Sequence, residues 1–305
     1  MISSPIWLPA TLIAGGLQAW RTAIQRRVSQ SLSLNGAGLV RYLYGLPFAA
    51  GLLGVYALIF GLPEVMFGSL FLPFCIAGGL AQIIATNLLI LAFAERNFVV
   101  GTAYSKTEAM QGAILSFFLL GERLSPLGWA GICAGVCGIM LLSTGGKRMS
   151  PLDFLRALGQ PAARAGIMSG FFFALTAIGI RRATQEVDGG TAVEAALIVL
   201  VVTVALQTLM QGGWMWWRER AEIRRVLASW RLSGQVGMLS AFGSACWFTG
   251  FATAPVALVR IVGQVEVAFT LAFGHFYLGE RMTRSEVAGL LLVVMGVVLA
   301  LLGAL

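Results

Sequence analysis

The sequence is poor in charged residues and in histidine. Asp, Glu, Lys and Arg make up only 11% of the 305 residues, and histidine occurs once, whereas charged residues are about 25% of a typical soluble domain. A metal site or a membrane-embedded enzyme would need clustered His, Asp, Cys or Ser groups, and the loops do not supply such clusters. The sequence also lacks the G-x-x-x-x-G-K-[ST] loop that an ATP-driven pump requires. We therefore expect no metal, no cofactor and no enzymatic activity.

Long apolar runs recur from one end of the sequence to the other. Hydrophobic residues make up 58% of the chain, and many runs reach the ~20 residues that a helix needs to cross a bilayer. The net charge of +8 comes from Lys and Arg in short loops between these runs, which is a topological pattern and not the sign of a nucleic-acid-binding protein. We predict an all-α integral membrane protein with ten transmembrane helices, at residues 6–25, 37–60, 70–93, 98–120, 126–144, 164–181, 191–212, 235–254, 256–278 and 285–304.

The basic residues of the loops are distributed unevenly between the two predicted sides of the membrane. Fourteen Lys and Arg residues follow odd-numbered helices, whereas only Arg123, Arg181 and Arg182 follow even-numbered ones. Because cytoplasmic loops carry the excess of Lys and Arg, both termini are predicted to lie outside the cytoplasm. The expected location is a cell (inner) membrane, with the lipid bilayer as a partner.

The two halves of the chain resemble each other in sequence. With a shift of 158 residues, positions 101–140 align without a gap with positions 259–298. This alignment superimposes Glu108 on Glu266, and it superimposes the triplet Gly121, Glu122 and Arg123 on Gly279, Glu280 and Arg281. The sequence therefore contains two copies of a five-helix unit, which we place at residues 1–145 and 164–305. Residues 146–163 are predicted to form an interfacial linker between them.

A second match between the halves covers the first helix of each unit. With a shift of 155 residues, Gly15 aligns with Gly170, and Arg26-Arg27 aligns with Arg181-Arg182. Because five is an odd number, the two copies enter the membrane in opposite senses and form an inverted repeat. Many secondary transporters are built in this way and bind substrate near the midplane, between the repeats.

A Gly-Glu pair follows the fourth helix of each half, at Gly121-Glu122 and at Gly279-Glu280. With the ten spans and the repeat, these pairs resemble the EamA type of the drug/metabolite transporter superfamily, over essentially the whole chain. The resemblance implies a central cavity between helices 1–4 and 6–9, with helices 5 and 10 at the periphery. It also implies alternating access and the export or exchange of small metabolites such as amino acids.

Two features of the sequence depart from the pattern of this superfamily. Its members commonly have both termini in the cytoplasm, whereas the loop charges here predict the reverse. The related small multidrug pumps carry a proton-binding Glu in the first helix, and the first helix of this chain has no acidic residue. The proton chemistry of those pumps therefore does not transfer to this chain by position.

Glu108 and Glu266 lie deep within the predicted fourth and ninth helices. Each precedes the Glu of its Gly-Glu pair by 14 residues, or about 21 Å of helix, so both are placed near the middle of the bilayer. A charge at this depth costs roughly 2.5–3.5 kcal/mol on insertion scales. Each carboxyl group must therefore be protonated, paired with a cation, or in contact with a wet cavity.

Helical spacing predicts an acidic face and a donor face on these two helices. The face of Glu108 also carries Tyr104, Ser105 and Gln111. Lys106 points to roughly the opposite side, so Lys106 and Glu108 are not expected to reach the centre of one narrow site together. In the second half, Arg260 and Gln264 share a face at spacing i, i+4. We expect the acids to face the cavity and at least one donor face to flank it.

Two interpretations of the buried acids stay open. In the first, Glu108 and Glu266 form a protonatable pair that carries a coupling proton, because ionisable groups within a membrane mark transport paths. In the second, each acid pairs with a cation of a neighbouring helix and only fixes packing.

Other polar residues of the predicted helices give weaker signals. Arg41 either extends to the membrane interface or attracts anions at the mouth of a cavity. The polar faces of helices 1 and 3 either join helices or bind a ligand; they consist of Gln18, Arg21, Thr22, Gln25, Gln82, Thr86 and Asn87. Of these, Asn87 is counted with Arg41 among the candidate binding residues.

The glycines after and within the helices are interpreted as structural. In each Gly-Glu-Arg turn, glycine permits the reversal of the chain and the acid is expected at the start of the next helix. Gly131 and Gly135 form a G-x-x-x-G pair that suits close contact with helix 10 or with a second copy of the chain. Monomer and homodimer both stay open.

The sequence as a whole predicts a secondary active transporter. We expect it to export small polar metabolites, amino acids or similar zwitterions, by alternating access, with proton coupling through Glu108 and Glu266 as a hypothesis. The alternatives are an organic-cation or drug exporter and an uncoupled facilitator or exchanger. If Lys106 and Arg260 line the cavity, organic cations are disfavoured. A channel fits less well, because charges of both signs at mid-membrane suit a site that must close.

Overall fold

The computed structural model describes residues 4–61, 64–94, 104–143, 161–278 and 284–303, and these residues are almost entirely helical. Along the chain the elements are α1 (Trp7–Val28), α2 (Leu34–Leu43), α3 (Gly45–Phe60), β1 (Met66–Phe67), α4 (Phe71–Ala94), α5 (Glu108–Leu120), α6 (Pro126–Ser143), α7 (Pro161–Gln185), β2 (Val187–Asp188), α8 (Ala192–Arg218), α9 (Arg220–Ala228), α10 (Trp230–Thr253), α11 (Val256–Gly263), α12 (Glu266–Leu278) and α13 (Arg284–Leu302).

Several of these helices have the length and the apolar character of membrane spans. Within the described residues, four stretches meet both criteria: Leu34–Phe60, Phe71–Ala92, Pro161–Gln185 and Ala192–Arg218. Shorter apolar helices occupy Glu108–Leu120, Pro126–Leu141 and Val287–Leu302. Large apolar side chains point outward from the bundle, such as Leu58 at 87% and Phe118 at 76% exposure. This surface suits contact with lipid and confirms the prediction of an all-helical protein with apolar spans.

The second predicted helix is divided into α2 and α3 at Tyr44. Pro47 lies one turn after Leu43, the last residue of α2. Because proline has no N–H group, it cannot donate to the carbonyl of Leu43, and its ring crowds that carbonyl. The sequence pattern predicted one continuous helix here, because apolar periodicity takes no account of the hydrogen bond that a proline removes.

The long helices pack in a small number of extensive contacts. α1 packs along α10, α4 packs along α7, and α6 packs along α13. The contact of α6 with α13 depends on glycine, because a Cβ atom at Gly131 would lie 2.5 Å from the carbonyl oxygen of Gly296. A Cβ atom at Gly138 would lie 2.6 Å from the carbonyl oxygen of Gly289. The glycines of α6 therefore serve contact with the last helix, one of the two roles considered for them.

Two short elements were not expected from the sequence. The connection between α3 and α4 pairs with the connection between α7 and α8 as an antiparallel ribbon, with Met66 opposite Asp188 and Phe67 opposite Val187. α9 is a short helix in the arginine-rich connection between α8 and α10. α7 begins at Pro161, before the predicted boundary at residue 164. The rest of the predicted linker at residues 146–163, and the triplet Gly279, Glu280 and Arg281, lie outside the described residues.

Candidate functional site

The helical segments that contain Glu108 and Glu266 are interrupted just before each acid. The residues Lys106-Thr107 form a turn and α5 begins at Glu108, while Gln264-Val265 form a turn and α12 begins at Glu266. The hydroxyl group of Thr107 donates a hydrogen bond of 2.6 Å to the carbonyl oxygen of Tyr104. Each acid therefore occupies the first turn of a half-helix, where the helix dipole favours a negative charge.

A glycine from a neighbouring helix lies against each interruption. A Cβ atom at Gly170 of α7 would lie 2.7 Å from the carbonyl oxygen of Ser105 and 3.2 Å from the backbone nitrogen of Glu108. A Cβ atom at Gly15 of α1 would lie 3.2 Å from the side chain of Val265 and 3.4 Å from the backbone nitrogen of Glu266. The absence of a side chain at these two positions lets α7 and α1 approach the turns closely.

The two acids form ion pairs that cross between the halves of the chain. Lys106 of the first half pairs with Glu266 of the second half. Arg260 of the second half pairs with Glu108 of the first half, with 3.2 Å between Nη1 and Oε1. All four side chains are at most 15% exposed. Because each pair joins the two halves, any rearrangement that separates the halves here must break or exchange these contacts.

A central cavity lies between the helices, and the four residues of these two ion pairs line it. Its volume is about 50 Å³, room for about four waters at ~10–15 Å³ each. Its cations are Arg21, Arg41, Lys106 and Arg260, and its acids are Glu108 and Glu266. The rest of the wall consists of neutral polar and aromatic side chains with two leucines and a glycine, namely Gln18, Thr22, Gln82, Ser105, Thr176, Ser244, Phe173, Trp247, Phe248, Phe251, Leu89, Leu239 and Gly243. The cavity is therefore polar and charged on part of its surface and aromatic on the rest.

The prediction that Lys106 and Glu108 could not reach one site together was wrong. It assumed a continuous helix, in which residues two positions apart point in nearly opposite directions. The turn at Lys106-Thr107 changes the direction of the backbone between them, and both side chains line the cavity. Glu108 and Glu266 line the cavity together with the donors Lys106 and Arg260.

A hydrogen-bonded and aromatic network supports the Glu266 side of the cavity. The amide group of Gln18 donates to Glu266 Oε2 at 2.7 Å and accepts from the indole N–H of Trp247 at 3.0 Å. The guanidinium group of Arg260 lies 5.3 Å from the ring centre of Trp247 and 5.0 Å from that of Phe251. Glu266 is thus oriented by the amide of Gln18, and Arg260, the partner of Glu108, is oriented by two aromatic rings.

Several of the predicted site residues lie outside the wall of the cavity. Gln111 donates to the hydroxyl group of Thr107 at 2.8 Å and to the carbonyl oxygen of Ile167 at 3.2 Å, so it joins α5 to α7. Tyr104 is buried beside the turn. Gln264 packs against Gly135 of α6, since α11 ends at Gly263 and the turn directs Gln264 away from the face of Arg260. These three residues support the turns and do not line the central cavity.

Asn87 belongs to a separate polar cluster at one end of the bundle. Its amide donates to Asn35 at 3.4 Å, and Asn35 donates in turn to Glu219 at 2.8 Å. Gln211 donates to the carbonyl oxygen of Asn35 at 2.9 Å. The cluster joins the start of α2 to the connection between α8 and α9. The helical period placed Asn87 on the polar face of α4 but could not show which neighbour that face meets.

The turn at Gly121-Glu122 differs in one respect from its predicted role. Gly121 has φ +68, a left-handed conformation that glycine adopts without strain, and it ends α5 as expected. Glu122, however, precedes the first residue of α6, Pro126, by four positions. Its Oε2 atom accepts a hydrogen bond of 2.9 Å from the N–H group of Val256, the first residue of α11, and its Oε1 atom lies 2.8 Å from Nε of Arg181. The acid therefore caps a helix of the other half.

Comparison with known families identifies the second half of the chain. Residues 161–302 match the family model described as "EamA-like transporter family". The second half of the chain is therefore similar to this family. The family is part of the drug/metabolite transporter superfamily, as the resemblance of the Gly-Glu pairs implied. Together with the apolar helices, this match points to an integral membrane protein.

A solved structure is similar in fold to this chain over nearly its whole length. The structure, titled "Crystal structure of protein", aligns with a TM-score of 0.65 over 97% of this chain and 98% of that chain, at 18% sequence identity. At this identity the likeness concerns the fold alone. No curated protein sequence matches the chain at a significant level.

Proposed function

We propose that the EamA-like chain is a secondary active transporter that exports small polar metabolites, amino acids or similar zwitterions, by alternating access. The observation that carries this proposal is the pair of crossed ion pairs in the central cavity, Lys106 with Glu266 and Arg260 with Glu108. Charged groups within a membrane protein mark the path of a substrate or an ion. A cavity lined by both signs of charge and by aromatic rings suits a small polar solute.

The architecture that we propose for this activity is ten spans in two inverted five-helix units, residues 1–145 and 164–305. In support of it, features recur at the two alignment shifts found in the sequence. At a shift of 158 residues, Ser33 caps α2 and Thr191 caps α8, each by accepting a hydrogen bond of 3.1 Å from the backbone three residues on. The turns before Glu108 and Glu266 have the same relation.

The packing of the helices also supports an inverted repeat. The shift of 155 residues relates Gly15 to Gly170, and each of these glycines contacts the turn of the other half. The extensive contact of α1 with α10 has its counterpart in that of α7 with α4. Such a two-fold arrangement gives the site two nearly equivalent halves, as alternating access by rocking of one repeat against the other requires.

The crossed ion pairs provide a way to couple substrate binding to this motion. A zwitterion can replace both partners of a pair, because its carboxylate satisfies Lys106 or Arg260 and its ammonium group satisfies Glu266 or Glu108. Breaking a buried pair without replacement leaves an uncompensated charge at a cost of about 3–5 kcal/mol. The halves therefore separate readily only when substrate, or a proton on the carboxyl group, takes the place of the lost contact.

Proton coupling follows from the same exchange. A proton on Glu266 neutralises the partner of Lys106 and frees the ammonium group for a substrate carboxylate, and Glu108 has the same relation to Arg260. Organic cations suit this cavity less well than anions or zwitterions, because Lys106 and Arg260 both line it. We propose the coupled transporter ahead of the uncoupled facilitator or exchanger because two titratable carboxyl groups hold the halves together.

The test is transport by the purified chain in liposomes with an imposed pH gradient. Proton flux and solute flux are measured together for amino acids, other small metabolites and quaternary amines, with wild type beside Glu108→Gln and Glu266→Gln. We expect one class of polar solute to drive proton movement, and we expect either variant to abolish that movement. The exposed Arg224→Gln, outside the cavity, serves as the control and should behave as wild type.

Two results would count against parts of this proposal. Solute transport without protons, unchanged in both variants, would make the chain an uncoupled facilitator or exchanger in which the ion pairs only fix packing. The absence of saturable transport for every solute class would contradict the transporter itself.

A further inference from the structure

Two arginines that line the central cavity form no salt bridge with a carboxylate of the described residues. Arg21 of α1 is 6% exposed and Arg41 of α2 is 4% exposed, and both line the cavity. Among the described residues neither forms an ion pair, and the Nε atom of each has no hydrogen-bond partner. The guanidinium group of Arg41 donates through Nη1 to the hydroxyl group of Thr86 at 2.7 Å. The guanidinium group of Arg21 forms no hydrogen bond with another described residue.

The charges on the wall of the cavity do not balance. Arg21, Arg41, Lys106 and Arg260 carry four positive charges, and Glu108 and Glu266 carry two negative ones. The ion pairs of the two acids account for Lys106 and Arg260. The wall therefore carries an excess of two positive charges, and neither Arg21 nor Arg41 lies within salt-bridge distance of Glu108 or Glu266, although both acids act on Arg21 from further away.

Buried charges of one sign are costly unless a ligand compensates them. Within a membrane protein, ionisable side chains are paired or face the path of the transported species. The planar guanidinium group holds a carboxylate or phosphate through two parallel N–H···O bonds, and arginine is the side chain best suited to such oxyanions. The unused N–H groups of Arg21 and Arg41 are donors of this kind in the lining of the cavity.

We propose, on the basis of the proposed transport function, that the substrate of this chain is a small oxyanion with net negative charge, whose acidic group binds to Arg21 and Arg41. An acidic amino acid or a short dicarboxylate fits, because one acidic group takes the two free arginines and the rest of the molecule contacts the ion-paired side of the cavity. Neutral amino acids and organic cations leave the excess charge uncompensated.

The experiment measures uptake by the full chain in liposomes for a panel of small solutes. The panel consists of succinate, aspartate, inorganic phosphate, serine and putrescine, with wild type beside Arg21→Gln, Arg41→Gln, Arg41→Lys and the exposed control Arg224→Gln. We expect wild type to favour succinate, aspartate or phosphate over serine and putrescine. The two Gln variants should reduce oxyanion uptake by about tenfold or more, since hydrogen bonds to charged groups are lost. Arg41→Lys keeps the charge and should retain part of the uptake.

The outcomes separate this inference from the proposed function. Preference for carboxylates and preference for phosphate both support it and distinguish the two kinds of oxyanion. Saturable uptake of serine or putrescine without uptake of oxyanions would overturn the inference and leave the transporter proposal standing. Unchanged oxyanion uptake in well-folded Arg21→Gln and Arg41→Gln would also overturn it. Absence of saturable uptake for the whole panel would contradict both the inference and the proposed transport function. The solute preference of wild type tests the inference even if a variant fails to fold.

Discussion

At the scale of single residues, the central feature is that each buried acid has its cation in the other half of the chain. The sequence supplied the four residues, since charges inside apolar runs are conspicuous. The sequence did not show which acid pairs with which cation. In the repeat alignment Lys106 is superimposed on Gln264, so the alignment did not relate Lys106 to the other cation, Arg260. Only the turns before Glu108 and Glu266 bring the four side chains to one cavity.

The pairing of Lys106 with Glu266 predicts strong coupling between their substitutions. Lys106→Gln leaves a buried carboxylate without its cation and should reduce the free energy of unfolding by about 3–5 kcal/mol. The double variant Lys106→Gln, Glu266→Gln should recover much of this loss, because both charges are gone. A double-mutant cycle on thermal unfolding in detergent measures the coupling.

A matched control is the pair between Arg225 and Glu222, in which the Arg225 side chain is 60% exposed. Arg225→Gln should cost less than Lys106→Gln, since water screens the exposed Arg225 side chain even though Glu222 is buried. Additive losses for Lys106→Gln and Glu266→Gln, or an equal loss for Arg225→Gln, would refute the buried pairing.

At the scale of the elements, the interruptions of two helices create the site. Apolar periodicity indicated continuous helices, and no proline lies at either interruption. The signal that the sequence did contain was the alignment of Gly15 with Gly170, the two glycines that contact the turns. A glycine conserved between the two repeats indicates a close approach of backbones, but it does not by itself show which backbone approaches.

The two glycines should differ in their tolerance of a side chain. A Cβ atom at Gly170 would lie 2.7 Å from a backbone oxygen, whereas one at Gly15 meets first the flexible side chain of Val265 at 3.2 Å. Gly170→Ala should therefore cost about 1–3 kcal/mol and reduce transport, because the turn that positions Glu108 must shift. Gly15→Ala should cost less than about 1 kcal/mol.

Thermal unfolding and transport rates of both variants, compared with Gly213→Ala, provide the check, since nothing lies within 4 Å of a Cβ atom at Gly213. A larger loss for Gly15→Ala than for Gly170→Ala would contradict the geometry of the turns.

The turn after α5 should respond to pH through Glu122. Burial raises the pKa of the Glu122 carboxyl group, and the charge of Arg181 and the N–H group of Val256 oppose this only in part. Because the pKa is higher in the folded than in the unfolded chain, the contribution of Glu122 to stability is greatest below its ordinary pKa and is lost as the pH rises through the folded value.

We therefore expect the stability of wild type relative to Glu122→Gln to increase as the pH falls from about 8 to about 5, the range just above the ordinary pKa of Glu. The difference in stability is measured by thermal unfolding of wild type and Glu122→Gln at each pH. Titrating groups that the two proteins share contribute equally to both and cancel in this difference. A difference that moves in the opposite direction would show that the ion pair with Arg181 outweighs burial.

At the scale of the whole molecule, the sequence predicted the apolar helices, most of their bounds and the family of the second half. These features depend on local composition and on long alignments, which a single sequence contains. The arrangement of helices around the cavity, the ribbon of β1 with β2 and the positions of Arg21 and Arg41 depend on contacts between distant residues. Neither hydropathy nor repeat alignment contains those contacts.

The orientation of the molecule is a further prediction at this scale. The loop charges predict both termini outside the cytoplasm, with the arginine-rich connection around α9 on the cytoplasmic side. A cysteine at Arg224 in a cysteine-free background should react with a membrane-impermeant thiol reagent only after the cytoplasmic side is opened. Reaction in intact cells would reverse the assigned orientation.

The most direct test of the account is whether the central cavity opens to both sides of the membrane. Ser244 lines the cavity, and Ser244→Cys can be placed in a chain whose Cys75, Cys133, Cys137 and Cys246 are replaced by alanine. Membrane-impermeant thiol reagents are applied to right-side-out and inside-out vesicles, with the outward-facing Phe118→Cys as control. We predict labelling of Ser244→Cys from both sides and none of Phe118→Cys. Labelling of Ser244→Cys from one side only, under every pH gradient and with each panel solute, would contradict alternating access.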